Sequence, residues 1–161
     1  MSSQPDSIQA IKVFLSYSSK DERLKKQLDR HLSSRKSRGV IDTWEEEKIS
    51  AGKNKEQAIS KHFEEANIIL CLISPEFVNC DYCYTIQLPR ALEKKRSGEA
   101  KVIPILLRDV DWSITPFGEL GLQVLPRNKV PIASASNRDR AMREVVQEIA
   151  RVVAIIRGES V

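Results

Sequence analysis

No apolar run in this sequence reaches the roughly 18 residues that a bilayer-spanning helix needs. The start, Met1-Ser2-Ser3-Gln4-Pro5-Asp6-Ser7, lacks both the basic and the apolar region of a secretory signal. Cysteine is scarce, and three is an odd number that fits no disulfide framework, so a cytoplasmic protein with reduced thiols is expected. Only 6 Gly and 7 Pro stand among 161 residues that are 41% hydrophobic and 30% charged, which excludes a disordered, collagenous or low-complexity chain. Nor is there a strong charge of one sign: 26 Lys and Arg against 22 Asp and Glu leave +4. The basic residues are scattered among acids, as in Glu93-Lys94-Lys95-Arg96, and read as solvated helix faces rather than a nucleic-acid footprint. The length suits one domain able to bury about 70% of its unfolded surface without a disulfide or metal staple.

Within that length, short apolar runs alternate with helical spacing. Lys12-Val13-Phe14-Leu15-Ser16 suits a buried strand. Ser19 and Glu22 have the spacing of a capping box, and Leu24, Leu28, His31 and Leu32 come next as the stripe of an amphipathic helix. Val40 to Trp44 reads as a second strand, Glu45 to Asn54 as a loop, and Ala58 to Ala66 as a helix. Ile68 to Ile73 is continuous rather than alternating, which indicates burial on both faces, as in a parallel sheet. Ser74-Pro75 ends that strand and caps the next turn, with Pro at the first helical position. Residues 81–97 have a helical pattern that Pro89 must break near Leu88. Val102 to Leu107 is a further strand whose Pro104 implies a missing ladder bond. Val130 to Ile132 reads as a last short strand and Ser136 to Arg157 as a helix. The expected architecture is a doubly wound α/β domain with a five-stranded parallel sheet over residues 11–157. Residues 1–10 form a flexible tail, and 158–161 a C-terminal tail and possible truncation point. In such sheets ligands bind outside the carboxyl ends of the strands. That places residues 16–19, 44–52 and 74–87 around one mouth.

Several chemistries are missing. Ala51-Gly52-Lys53-Asn54 is too poor in glycine for a phosphate cradle, and no Gly-x-Ser-x-Gly elbow exists. A phosphate-accepting receiver domain needs Asp where Ser74-Pro75 stands. Cys80-Asp81-Tyr82-Cys83 has dithiol spacing, but two further zinc ligands are lacking and the position is not that of a redox helix. With neither His31 nor His62 paired to a cysteine in sequence, ordinary thiols are expected, one facing the crevice. Trp112 reads as a core plug. Trp44 is either a plug or a stacking platform for a planar ligand.

The segment Val13-Phe14-Leu15-Ser16-Tyr17-Ser18, with Lys20-Asp21, resembles the first box of Toll/interleukin-1 receptor (TIR) domains. Ile41-Asp42-Thr43-Trp44 through Gly52 is similar to their second-strand loop in its prokaryotic form. Ile73-Ser74-Pro75-Glu76-Phe77 through Leu88 resembles the segment with the catalytic position, and Val102-Ile103-Pro104-Ile105 and Asp111-Trp112 also fit. The match spans roughly residues 11–157. The resemblance implies a flavodoxin-like sheet. For many members it also implies cleavage of NAD+ to nicotinamide and ADP-ribose, or a cyclic ADP-ribose isomer, in antiphage defence. It implies activity on assembly with other copies and a fused sensor domain outside this chain. It implies no cofactor beyond NAD+ as substrate, no metal, no direct nucleic-acid partner and no membrane.

The resemblance places the NAD+ site around Tyr17, Ser18, Trp44, Lys48, Cys83 and Tyr84, with the family's catalytic Glu falling on Gln87. Gln keeps the shape and the hydrogen bonds but loses the charge, so this chain is expected to be nearly inactive. The isosteric exchange points to deliberate inactivation, whereas Pro89 nearby points to a natural pseudoenzyme. The alternative to an NAD+ nucleosidase is a non-catalytic module that signals by TIR–TIR contacts. Cys83 also departs from the pattern, standing near where many active members place Trp, with Tyr82 or Tyr84 as the substitute ring.

Overall fold

Apolar runs at four points of the chain become parallel strands: β1 (Ile11–Ser16), β2 (Ile41–Thr43), β3 (Ile68–Ile73) and β4 (Lys101–Leu106). They lie in the order β2-β1-β3-β4. The computed structural model describes residues 9–44 and 49–158. All six residues of β3 are buried, as the continuous apolar run requires of a central strand covered on both faces.

The helices divide between the two faces. On one side α1 (Glu22–Ser37) and α6 (Arg138–Ile156) cover Val13, Leu15, Leu70 and Ile105 with Leu28, Leu32, Met142, Val145, Ile149 and Val153. On the other side α2 (Lys55–Glu65), α4 (Leu88–Arg96) and the short α5 (Pro116–Glu119) cover Phe14, Ile69, Cys71 and Ile73. A further one-turn helix, α3 (Pro75–Val78), comes after β3. Because β1 leads outward to β2 and β3 leads the other way to β4, the strand order reverses between β1 and β3. The crevice of a doubly wound sheet opens there.

The expected fifth strand is not present: the sheet has four strands among the described residues. The outer edge of β4 meets the chain in a single bridge, where Leu125 N–H donates to Pro104 O at 2.9 Å and Leu106 N–H donates to Leu125 O at 2.7 Å. Pro104 has no N–H to extend that pairing, and a turn closed by Lys129 N–H on Pro126 O at 2.8 Å carries the chain away. Ile132 is buried in a 3-10 turn instead.

The capping box also differs from expectation. Residues Ser19–Asp21 form a 3-10 turn capped by the Ser18 hydroxyl, which accepts from Lys20 N–H at 3.3 Å. The α1 helix therefore starts at Glu22. The Asp21 carboxylate caps nothing, because it accepts from the Ser74 hydroxyl and from Arg108 Nε at 2.8 Å. Ser74 in turn accepts from Phe77 N–H at 3.0 Å and caps α3, with Pro75 at the first helical position, as expected.

Asp21→Asn keeps the shape of this junction but removes a buried charge that serves two donors. Hydrogen bonds to charged groups contribute roughly 1.5–3 kcal/mol each. We expect the variant to lose about that much stability, read as a lower urea midpoint at unchanged m-value.

Candidate functional site

A cavity of about 500 Å³ opens between the end of β1, Trp44 just after β2, and the segment from Cys80 to Gln87. That volume is within the range of small-molecule sites. Gln87 lines the cavity and is held across 71 residues of sequence: Ser16, the last residue of β1, donates its hydroxyl hydrogen to Gln87 Oε1 at 2.8 Å. Both side chains are buried, Gln87 at 6% exposure.

Local backbone geometry explains how Gln87 gets there. Residues Asp81–Gln87 form a π-helical segment, and α4 begins at Leu88 with Pro89 in its first turn. The break that Pro89 imposes is thus taken up by a widened turn, a device frequent at functional sites. Cys83 and Gln87, four residues apart, share its buried side, while Tyr82 and Ile86 stay exposed.

Two cysteines stand at the start of that segment. The Cys80 thiol donates to Cys83 Sγ at 3.0 Å, Cys83 N–H donates to Cys80 Sγ at 3.3 Å, and the Cys83 thiol donates to Tyr17 O at 3.2 Å. Both line the cavity, where one was expected to. Among the described residues no group of three or more His, Cys, Asp or Glu could hold a metal ion. Burial pushes the Cys83 thiol far above its ordinary range and the Cys71 thiol up to about 12.

The cavity wall opposite the π-helical segment comes from Trp44 and the first turns of α1 and α2. Trp44 stacks on His62 with ring centroids 4.4 Å apart and 14° between planes, and it also lines the cavity. Burial holds the His62 imidazole below its usual value of 6.5. Lys25 lies with its Nζ 5.4 Å from the centroid of the Tyr17 ring.

Of the residues expected at the site, Tyr17, Trp44, Cys83 and Gln87 meet around this cavity. Ser18 is not among its lining residues and is buried as the cap described above. Tyr84 is turned away and packs edge-on against Phe77, with centroids 6.3 Å apart. Lys48 lies outside the described residues. Trp112 packs against the core face beneath α5, as a plug does. Sequence reasoning missed Lys25, Glu22, Lys55, Glu56 and Ile59, which also line the cavity. A signal was available for Lys25: it lies three residues before Leu28 and seven before Leu32, both fully buried, so it shares the apolar stripe that begins at Leu24.

The family model for the TIR domain matches residues 13–145. The chain belongs to the TIR-domain family. This TIR domain is 44% identical over 137 residues to a Sinorhizobium fredii protein, "Uncharacterized protein y4lF", covering 85% of this chain and 42% of that protein. Less than half of that relative's length is therefore spanned by this chain. Among solved structures, the TIR domain of the Toll-related receptor TRR-2 from Hydra magnipapillata superposes with a TM-score of 0.56. It is 19% identical, over 88% of this chain and 99% of that one. This likeness is one of fold.

Two measurements check the site's electrostatics. In a Trp112→Phe background, fluorescence of Trp44 should be quenched on acidification with a midpoint below 6.5, because His62 stays neutral until then. Its lowered value means the folded state resists that proton, so stability contributed by neutral His62 falls as pH drops from 6.5 through the folded value. Alkylation of the native protein at pH 8 should label Cys80 well before Cys71, with mass spectrometry reading the order.

Proposed function

We propose that this TIR domain binds NAD+ in the cavity, with the nicotinamide–ribose bond beside Gln87, and that the chain as written cleaves it only very slowly. The observation that carries the reading is Gln87 itself. It is a buried amide that lines the cavity and accepts from Ser16, and the resemblance puts the family's catalytic Glu at this position.

Breaking a glycosidic C–N bond leaves positive charge on the ribose ring, as in sugar hydrolysis. A carboxylate facing that ring stabilises the charge, and water or the adenine base then adds to the sugar carbon, giving ADP-ribose or a cyclic isomer. The Gln87 amide keeps the hydrogen bonds to ribose hydroxyls, and Ser16 keeps it oriented, but it supplies no negative charge. Losing one such electrostatic contact costs about 10²–10³ in rate. Trp44, backed by His62, offers an aromatic face for one of the bases. No metal is needed for these steps. We place the activity in the cytoplasm, in antiphage defence, with other copies of the domain completing the site and a sensor region supplied outside this chain. The greater length of the Sinorhizobium fredii relative supports such a further region.

A second reading is a scaffold that acts by TIR–TIR contact alone. The neutral residue at 87 and the exposed Ile86 beside it, 60% accessible, favour it. Gln87→Glu separates the two. Nicotinamide release from NAD+ by concentrated protein, measured by chromatography, should rise about 10²–10³-fold over the unaltered chain. No release from the variant rejects catalysis, and no heat on titrating NAD+ into the unaltered chain leaves only the scaffold.

A further inference from the structure

Three charged side chains among the described residues are nearly inaccessible: Asp21, Lys94 and Lys25. Two have conventional partners. Asp21 accepts from Ser74 and Arg108, and Lys94 donates to the carbonyl of Glu64. Lys25, at 5% exposure, has no carboxylate or carbonyl partner among the described residues, only the Tyr17 ring. Glu22, one turn earlier and also lining the cavity, pairs with Lys26 at 3.9 Å instead. Most of the Lys25 side chain is buried, and its ammonium has a cation–π contact but no anion among the described residues to balance its charge. The side chain nevertheless lines the same cavity as Gln87.

We infer that Lys25 is the anchor for an anionic oxygen of the ligand, and that the cavity therefore selects a diphosphate-bridged nucleotide over an uncharged or cationic nucleoside. The inference rests on the NAD+ reading and adds to it a specificity-determining contact. The Lys25 ammonium lies over the Tyr17 ring, which holds it in place before the ligand arrives. A phosphate oxygen entering the cavity then gains a charge-assisted hydrogen bond to a cation already in position. The arrangement also assigns the two aromatic residues different work. Tyr17 supports the cation, and Trp44 is left as the platform for a base.

Lys25→Met tests this, because methionine retains an unbranched stem over the ring and removes only the charge; a thermal melt confirms that it folds. Calorimetric titration with NAD+, ADP-ribose, nicotinamide riboside and inorganic pyrophosphate gives distinct outcomes. The expected result is a loss of about 10- to 100-fold in affinity for NAD+ and ADP-ribose, the range for a charge-assisted hydrogen bond. Nicotinamide riboside, which has no phosphate, should be unaffected, and Lys25→Arg should recover most of the loss. Equal losses for the riboside and the dinucleotide would assign Lys25 to packing and overturn the inference, as would unchanged NAD+ affinity. Should the unaltered chain bind pyrophosphate through Lys25 but not NAD+, the anion subsite stands and the NAD+ reading fails. Should it bind none of the four, both fall.

Discussion

A buried carboxylate holds the mouth of this sheet in shape. Asp21 sits just before α1, yet its partners come from the end of β3 and the end of β4: the Ser74 hydroxyl and the Arg108 guanidinium. A buried ion is tolerable only when its lone pairs are engaged, and removing a partner leaves the rest exposed to the full desolvation penalty. Three loops are therefore committed to one geometry. Arg108 extends the tie to Glu76 at 3.3 Å, on the one-turn helix that Ser74 caps. With the ends of β1, β3 and β4 so joined, the gap left by the reversal of strand order becomes a cavity of defined walls.

That cavity combines a fixed amide with an unusual charge distribution. Gln87 lines it under a hydrogen bond from Ser16, and its position depends on the π-helical segment that turns it inward ahead of Pro89. A regular α-helix through the same residues would meet the proline ring with the carbonyl four residues back. Widening the turn removes that clash, so the residue that disrupts the helix also helps to shape the site. The same cavity is lined by Lys25 and by Trp44, whose ring is backed by His62. On the proposed reading, these features hold an anionic, base-bearing ligand, and position 87 lacks the charge that would activate its sugar.

Much of the architecture is legible in the chain itself. The apolar run Ile68–Ile73 predicts a strand buried on both faces, and its bounds are those observed. Pro104 predicts a site of missing pairing, and it lies on an edge strand whose outer pairing stops at one bridge. The departures have physical sources. Val130-Pro131-Ile132 has strand-like composition, but a run with Pro131 at its centre, beside an edge strand whose Pro104 lacks an N–H, has too few donors to join a ladder. Ser19 and Glu22 have capping spacing, but Ser18 caps a preceding turn, and spacing cannot tell which of two adjacent serines turns inward. Tyr84 neighbours Cys83 in sequence and so groups with the site, whereas the π-helical turn sends it to Phe77.

Periodicity and composition by themselves determined the alternation of strands and helices, the parallel sheet, and the end of that sheet where a ligand would bind, because burial on both faces leaves a continuous apolar signature in a single stretch of chain. Tertiary structure alone decided which side chains meet there. Ser16 and Gln87 are 71 residues apart and Asp21 and Ser74 are 53 apart. That Lys25 has no counter-charge among the described residues shows only once its neighbours are in place. A hydrogen bond or an unpaired charge is a property of distances in space, and no local pattern records it.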